Sequence, residues 1–328
     1  MRYVMIGAGA VGGTIGGRLH EAGRDVVLVA RGAHLQALRT RGLQLDEPGR
    51  SRVLRIPAAA TPGEVDWSPE DVVVMATKTQ ASADLLDAVA DAAPDVPVVC
   101  AQNGVANERM AAARFAHVLG ICVIIPCEHL EPGLVVTFSG PVPGVLDIGR
   151  YPGGPDELAT AIAADLTAAG FSSRADPAIM RWKYGKLLAN LGNAAEAACG
   201  PDDPDLRELS AAARAEGREC LAAAGIDVVP APEEKQRRAG FVVRRAVGPH
   251  VRHGGSTWQS LQRGTGSVEA AHLNGEIVAL GRRHGVATPV NALLLAVVEE
   301  MARAGEAPGG RNAAELIAQA TRSPASRT

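Results

Sequence analysis

The sequence predicts an α/β doubly wound domain of the Rossmann type over residues 1–172, followed by an all-α domain over residues 173–328. Three observations lead to this prediction. Short apolar runs alternate with amphipathic stretches through the first 150 residues, a glycine-rich turn follows the first run directly, and helical patterns dominate after residue 177. Continuous Val- and Ile-rich runs are typical of strands buried on both faces, so the sheet should be largely parallel.

The apolar runs locate the strands of the first domain. Five of them should form the parallel sheet: Tyr3–Ile6, Val26–Ala30, Val72–Ala76, Val98–Ala101 and Val118–Ile125. Two further runs, Leu134–Phe138 and Val145–Ile148, flank a Ser-Gly-Pro turn and predict an antiparallel addition at one edge. Apolar residues at every fourth position after Pro155 predict a helix that ends at Gly170.

Helical patterns fill the second domain. The predicted helices cover about 178–199, 206–224, 233–247, 268–284 and 289–304. The remaining stretch, 305–328, is interpreted as a tail with one short helix between Asn312 and Thr321.

Composition restricts the class of protein. The chain of 328 residues is 47% hydrophobic and 21% charged with a formal net charge of -3, values typical of a soluble globular protein. Its 33 basic and 36 acidic residues argue against nucleic acid as a partner, and the apolar stretch Val4–Gly17 is too short for a membrane span. Five cysteines without a C-x-x-C pair predict buried thiols, no metal site and a cytoplasmic location. A small-molecule substrate is the expected partner, and a homodimer remains open.

A glycine-rich segment, Gly7-Ala8-Gly9-Ala10-Val11-Gly12, joins the first strand to the first helix. Dinucleotide-binding loops need glycine for a tight turn, for close approach of backbone to a pyrophosphate, and for packing of helix on strand. The helix start also offers unpaired N–H groups to the anion. We therefore expect the cofactor to be bound by Gly7, Gly9, Ala10, Val11 and Gly12.

The residue after the second strand distinguishes the two nicotinamide dinucleotides. An Asp or Glu at that place normally binds the ribose 2′-hydroxyl, but this chain has Arg31. A guanidinium can pair bidentately with a 2′-phosphate, so the sequence predicts NADP(H), as NADPH or NADP+, over NAD(H). The alternative is that Arg31 is an ordinary solvated side chain.

Lysine is rare in this chain, and its positions therefore carry information. The four lysines among the 33 basic residues are Lys78, Lys183, Lys186 and Lys235. Unlike arginine, lysine can give up a proton and act as a general acid. Positions 183, 186, 190 and 193 share one face at helical spacing, and the rest of the helix is apolar, so this polar face should line a wet cleft. A solvent-facing face without a role is the alternative.

A second polar face comprises Glu269, His272 and Glu276. A carboxylate opposite Lys186 could hold its ammonium in position, whereas a lowered pKa would need burial or a cationic neighbour such as Lys183. The simpler interpretation of His272 is a packed or surface histidine, and a catalytic role is the alternative.

Six motifs in order resemble the ketopantoate reductase (2-dehydropantoate 2-reductase) family over nearly the whole chain. They are IGAGAVGG at the amino end, VARGAHL around Arg31, Thr77-Lys78-Thr79-Gln80, Gln102-Asn103-Gly104, Lys186-Leu187-Leu188-Ala189-Asn190, and the run from Ser256-Thr257-Trp258 through Glu269 to Asn274-Gly275. The resemblance implies a Rossmann domain, a helical domain and an active site between them. It also implies NADPH-dependent reduction of a 2-keto acid to a 2-hydroxy acid, with ketopantoate as the expected substrate.

The same resemblance implies roles for individual residues. Lys186 resembles the general acid that protonates the developing alkoxide, and Glu269 resembles the acid that supports it. The other implied roles are substrate binding by Asn190, Asn193 and Thr257, and cofactor binding by Lys78 and Asn103.

Several positions depart from the family pattern and put ketopantoate itself in question. They are Ala194, Ala271, His272, Thr257 and Trp258. Asn193 lies one residue before the expected amide, a rotation of about 100° on a helix. Two alternatives therefore remain: a reductase of the same fold that acts on another 2-keto acid or an imine, and an NADP(H)-binding sensor without catalysis. Retention of Lys186 and Glu269 argues against the sensor. The arginine-rich segment 235–263 is interpreted as a solvated surface, with a site for an anionic substrate group as the alternative.

Overall fold

The protein is described by a computed structural model for residues 1–252, 254–264 and 266–322. In chain order its strands are β1 (Arg2–Ile6), β2 (Asp25–Val29), β3 (Leu43–Glu47), β4 (Arg50–Leu54), β5 (Ala58–Ala59), β6 (Asp71–Met75), β7 (Val98–Cys100), β8 (Val118–Ile124), β9 (Cys127–Glu131), β10 (Leu134–Thr137), β11 (Ser139–Pro141), β12 (Val145–Arg150) and β13 (Val242–Arg244).

The α-helices are α1 (Ala10–Glu21), α2 (Gly32–Arg41), α3 (Ser82–Ala92), α4 (Ala106–Ala112), α5 (Glu157–Ala168), α6 (Ile179–Asn190), α7 (Gly192–Cys199), α8 (Leu206–Ala223), α9 (Ala231–Arg238), α10 (Ser256–Gln262), α11 (Asn274–His284), α12 (Pro289–Ala304) and α13 (Ala313–Arg322). Short 3-10 helices cover Pro62–Glu64, Thr79–Ala81 and Glu269–His272.

The main sheet has seven strands in the order β12-β8-β7-β6-β1-β2-β5. The neighbours of β1 are parallel to it, and Ile6 lies beside Val29 of β2 and Met75 of β6. Both faces of this sheet are covered, because apolar side chains of successive β1 residues enter two different buried clusters. The five strands predicted from continuous apolar runs are confirmed, since burial on both faces is what such runs require.

The predicted antiparallel edge is correct for one of its two strands. Strand β12 pairs antiparallel with β8 at the edge of the main sheet. The other run, now β10, belongs instead to a four-stranded sheet of order β4-β3-β10-β9, where it runs parallel to β3 and antiparallel to β9. The β3–β4 hairpin turns at Gly49, which has φ +73°. This hairpin was not predicted from the sequence, and its strand β3 is the one that pairs with β10.

The chain forms two compact units. The first comprises Met1–Lys183 together with the returning segment Ala231–Arg252, and the second comprises Tyr184–Pro230 with the described residues after 253. The domain boundary predicted between residues 172 and 173 stays a prediction. The returning segment Ala231–Arg252 belongs to the same compact unit as the first part of the chain. The boundary between the units falls inside α6.

The returning segment corrects the helix predicted over 233–247. Helix α9 ends at Arg238, Gly240 has φ +77°, and β13 then pairs antiparallel with β11. Arg237 also donates to both carboxylate oxygens of Asp147 at 2.7 and 2.6 Å. The β-branched pair Val242 and Val243 favours a strand once a partner edge is available.

The described part of the second unit is helical, as predicted. The helices at 206–224, 289–304 and 312–321 are confirmed within one or two residues at each end. The helix predicted over 178–199 is interrupted at Leu191, whose N–H is shared between the carbonyls of Leu187 (3.1 Å) and Leu188 (3.4 Å). The helix over 268–284 begins as a 3-10 turn before α11, and α10 was missed.

Two predictions from composition concern chemistry rather than fold. All five cysteines are free and buried, which confirms that they are packed thiols. Among the described residues, no helix is both long enough and apolar enough to pass through a bilayer.

Candidate functional site

The glycine loop lies between the end of β1 and the start of α1. Gly7 has φ +99°, and a Cβ there would lie 2.6 Å from Thr77 Cγ2. A Cβ on Gly12 would lie 1.9 Å from the Gly7 carbonyl oxygen, whereas a Cβ on Gly9 would meet nothing within 4 Å. Gly7 and Gly12 are therefore required for packing, while Gly9 borders open space.

The start of α1 can accept an anion. Gly9 is the N-cap residue and provides no side chain to cap the helix. The N–H groups of the first turn have no acceptor within a helix, and the helix dipole favours negative charge there. Backbone that is open at Gly9 and begins a helix there fits the pyrophosphate of a dinucleotide.

The four predicted cofactor-side positions lie at one edge of the main sheet. Strands β2, β1, β6 and β7 are neighbours and parallel, so their carboxyl ends meet at the same edge. The glycine loop follows β1, Arg31 follows β2, Lys78 follows β6 and Asn103 follows β7. Ligands of doubly wound sheets bind outside these carboxyl ends.

Arg31, Lys78 and Asn103 differ in their surroundings. Arg31 is exposed at the N-cap of α2, and its side chain bonds to none of the described residues. Lys78 is half-buried at the start of the 3-10 helix after β6. Asn103 is half-buried too, and its carbonyl accepts a hydrogen bond from Asn107 Nδ2 at 3.3 Å. Arg31 is thus available to a ligand.

A buried polar network joins the loops after β6 and β7. Gln102 Nε2 donates to the Thr77 carbonyl at 3.0 Å and to Ser82 Oγ at 2.7 Å. Ser82 Oγ donates to Asn107 Oδ1 at 2.8 Å, and Asn107 Nδ2 donates to Thr79 Oγ1 at 3.1 Å. These bonds fix the loops that carry Lys78 and Asn103. Ser82 and Asn107 were missed because hydroxyls and amides at irregular spacing give no sequence signal.

Lys183 is buried in the first unit, which corrects the prediction that it faces a wet cleft. Its ammonium lies 2.8 Å from Glu108 Oε1 and donates to the carbonyls of Gln102 (2.9 Å) and Ile121 (3.1 Å). Two carbonyls accept hydrogen bonds from this ammonium and Glu108 forms an ion pair with it, so three partners surround one nitrogen, an arrangement that suits lysine rather than arginine. Because Glu108 neutralises its charge, Lys183 is a structural residue.

The second unit carries the predicted catalytic and substrate-binding residues. Lys186 and Asn190 lie on α6, Asn193 on α7 and Thr257 on α10, while Glu269 begins the 3-10 helix before α11. Asn190 and Thr257 are buried, with 8% and 2% of their surface exposed. The other three are half-buried. All five therefore lie on helical elements of a single unit.

The interruption at Leu191 determines where Asn193 points. Asn193 lies beyond the break, and its Oδ1 would be 3.3 Å from a Cβ placed on Gly255, the N-cap residue of α10. Asn274 Nδ2 donates to the Leu191 carbonyl at 3.1 Å and to Asn291 Oδ1 at 2.9 Å, so the Asn-Gly motif stabilises the break. Positions 183, 186, 190 and 193 consequently do not form one continuous helical face.

Fold and site together define a class: an oxidoreductase with a Rossmann domain that uses a nicotinamide dinucleotide. The family model described as ketopantoate reductase PanE/ApbA matches residues 3–153, and its C-terminal counterpart matches residues 178–302. The chain belongs to the ketopantoate reductase family. This confirms the resemblance predicted from the ordered motifs.

Relatives and solved structures agree with this assignment. Proteins named 2-dehydropantoate 2-reductase include one from Pyrococcus horikoshii, 27% identical with 94% of this chain and 99% of the relative covered. One from Archaeoglobus fulgidus is 30% identical, with coverages of 90% and 96%. A ketopantoate reductase of the PanE/ApbA family from Ralstonia eutropha JMP134 is 27% identical with a TM-score of 0.78, covering 93% of this chain and 99% of that one.

A second solved structure shares the fold at lower identity. It is a D-mandelate dehydrogenase in complex with NADH and anilino(oxo)acetate, 23% identical with a TM-score of 0.78, covering 93% of this chain and 99% of that one. At this identity the likeness concerns the fold. The predicted fold class is confirmed by these neighbours.

Proposed function

We propose that this chain catalyses the NADPH-dependent reduction of 2-dehydropantoate, a 2-keto acid, to the 2-hydroxy acid pantoate. The observation that carries the proposal is the glycine loop, where Gly7 and Gly12 are packed and Gly9 is open. This loop belongs to a chain that matches the family along both of its parts and has relatives named 2-dehydropantoate 2-reductase.

Backbone and side chains of the first unit hold the cofactor in this proposal. The pyrophosphate is bound at the glycine loop formed by Gly7, Gly9, Ala10, Val11 and Gly12, with amide N–H groups at the start of α1 as donors. The Gly7 N–H donates to the Val29 carbonyl at 3.0 Å, so Gly7 contributes the turn and not a donor. Arg31 pairs with the 2′-phosphate, an assignment supported by its exposure and its position after β2. Lys78 and Asn103 act nearer the nicotinamide, which when bound supplies a hydride to the substrate carbonyl carbon.

Side chains of the second unit bind the substrate and stabilise the charge that develops on its carbonyl oxygen. As the carbonyl carbon is reduced, negative charge develops on its oxygen, and Lys186 Nζ donates a proton to that oxygen to complete the hydroxyl. Glu269 holds the Lys186 ammonium in position. Asn190, Asn193 and Thr257 donate hydrogen bonds to the substrate carboxylate and hydroxyl. The burial of Asn190 and Thr257 supports this role, since buried polar groups of a binding site are the ones that orient a ligand.

A panel of 2-keto acids assayed by the loss of NADPH absorbance tests the proposal. Turnover of ketopantoate with a higher kcat/KM than of any other keto acid is the expected result. Tight NADPH binding with no turnover of any compound would show a sensor and overturn the proposal.

A second candidate is a reductase of the same fold for a different 2-keto acid or an imine. Ala194, where the family has an amide, is 1% exposed and offers no polar group to a substrate. Ala271 and His272 likewise replace an acid and a phenol of the family pattern. Turnover of another member of the panel without turnover of ketopantoate would favour this candidate.

A further inference from the structure

His34, on the first turn of α2, contacts the glycine loop directly. Its Nε2 lies 2.8 Å from the Ala8 carbonyl oxygen. On the other side of the ring, Nδ1 accepts a hydrogen bond from the Gly133 N–H at 3.0 Å and lies 3.2 Å from His129 Nε2. The two imidazoles meet edge to face, with centroids 4.3 Å apart. A single ring thus joins the glycine loop to the β9–β10 turn.

These contacts define the protonation state of His34. A backbone N–H can only donate, so Nδ1 of His34 must be an unprotonated acceptor. The Ala8 carbonyl can only accept, so Nε2 must carry the proton. Both conditions hold only for the neutral Nε2–H tautomer. Burial also lowers the pKa of His34 below its usual value, the hydrogen bond to Ala8 acting in the opposite direction.

The bond to Ala8 determines the direction of the next N–H group. The peptide between Ala8 and Gly9 is trans, and in a trans peptide the C=O and N–H point to opposite sides. Because the Ala8 carbonyl points to His34, the Gly9 N–H points away from it. Gly9 is the glycine that borders open space.

We infer that neutral His34 is a positioning residue for the dinucleotide, because it holds the Ala8–Gly9 peptide with its N–H turned toward the phosphates. This inference rests on the proposed function, since it requires the cofactor to bind at the glycine loop. Protonation of His34 places a second N–H against the Gly133 N–H and breaks that contact. The ring must then turn away from the Gly133 N–H, and this movement also draws Nε2 away from the Ala8 carbonyl. Cofactor affinity therefore falls when His34 is protonated.

The charged groups around His34 come from two elements, α2 and β9. On α2, Arg31 lies about one turn earlier, and Arg41 donates from the end of the helix to the Pro132 carbonyl at 2.9 Å. On β9, His129 contacts the ring, and Glu131 follows two residues later, beyond an irregularity in the β9–β10 pairing. The glycine loop contributes no titratable side chain. Two of these neighbours, Arg31 and Arg41, are permanently cationic, which disfavours a charged His34.

The test measures NADP+ binding by calorimetry between about pH 5 and pH 8, the range in which a histidine titrates. His34→Gln retains an amide donor near the Nε2 position, and His34→Asn retains an acceptor near Nδ1 but cannot reach Ala8. His117→Gln is the matched control, because His117 pairs with Asp156 at 2.8 Å and does not touch the loop. Any titration of the 2′-phosphate affects all four proteins alike.

Three results are expected. At pH 8, wild type, His34→Gln and His117→Gln bind NADP+ with Kd values within about threefold, while His34→Asn binds about tenfold more weakly, the effect of one lost hydrogen bond. Below about pH 6, the Kd of wild type and His117→Gln rises by up to about tenfold per pH unit beyond that of His34→Gln, as uptake of one proton requires. Thermal unfolding without nucleotide stays similar in all four.

Two results would overturn the inference. One is an identical pH profile for wild type and His34→Gln, and the other is wild-type affinity in His34→Asn. Failure of wild type to bind NADP+ at pH 8 would overturn the proposed function and this inference with it, so the two failures are distinguishable.

Discussion

The Lys183 ammonium lies 2.8 Å from Glu108 Oε1, and 2% and 0% of the two side chains are exposed. Lys183 precedes Lys186 by about one turn on α6, yet the two lysines have separate roles. The Lys183 ammonium pairs with Glu108 and donates hydrogen bonds to two backbone carbonyls. Lys186 lies in the second unit and is the proposed general acid. Two lysines on one helix thus have different surroundings, and only Lys186 is proposed to take part in the reaction.

The buried pair gives a prediction about stability. Glu108→Gln leaves the Lys183 cation without its counter-charge, and we expect a loss of about 3–5 kcal/mol in the free energy of unfolding. Lys183→Met together with Glu108→Leu should recover most of that loss, because no buried charge remains. Urea unfolding of both variants measures this, with Lys235→Met on the exposed face of α9 as a control. If the double variant is less stable than Glu108→Gln, the pair contributes more than charge compensation.

The glycine loop gives a matched pair of variants. Gly12→Ala should destabilise the fold by about 1–3 kcal/mol or more, because its Cβ would lie 1.9 Å from the Gly7 carbonyl oxygen. Gly9→Ala should leave stability nearly unchanged, since its Cβ would meet no atom within 4 Å. It should instead weaken NADPH binding, because the methyl group enters the space proposed for the pyrophosphate. Thermal unfolding and NADPH titration of both variants check this, and equal NADPH affinity in Gly9→Ala and wild type would contradict it.

Arg31 gives a prediction about cofactor preference. Arg31→Asp should lower kcat/KM for NADPH by roughly 10–100-fold, the effect of losing a charge-assisted hydrogen bond, and improve the relative use of NADH. Gln36→Asp adds the same charge to an exposed position of α2 and serves as the control. Initial rates with both cofactors give the ratio of kcat/KM for NADPH to kcat/KM for NADH. If Arg31→Asp leaves this ratio unchanged, Arg31 is only a solvated side chain.

Asp46 gives a prediction about acid stability. Burial alone would raise the pKa of Asp46, but hydrogen bonds from Ser51, Gln44 and His250 outweigh it and hold the pKa below its usual range. A depressed folded-state pKa contributes stability above the unfolded value of about 3.9, and that stability is lost as pH falls through the folded pKa. The gap in unfolding free energy between wild type and Asp46→Asn should therefore narrow as the pH falls below about 4. A gap that persists in acid would contradict this.

The sequence predicted those parts of the molecule whose signals are local. The strands of the main sheet were found because burial on both faces leaves continuous apolar runs, and the glycine loop was found because its spacing is complete within six residues. Lys183 was misplaced because its partner Glu108 comes from a distant helix and no spacing connects them. Strand β13 was read as helix because its partner β11 is equally remote. The burial of Lys183 and the extended conformation of β13 both depend on partners that lie far away in the sequence.

The last prediction concerns Lys186. Lys186→Ala should lower kcat by about 10²–10⁴-fold, the usual contribution of general acid catalysis, while NADP+ affinity stays near wild type because the cofactor loop is unchanged. Lys186→Arg retains the charge but holds its proton too tightly to donate it, so its kcat should also fall while KM for the keto acid changes less. Steady-state kinetics with the preferred keto acid measure kcat and KM separately. Lys235→Ala on α9 is the control. Because Lys183 is buried and paired, a near-normal kcat in Lys186→Ala would transfer the role of proton donor to Lys78.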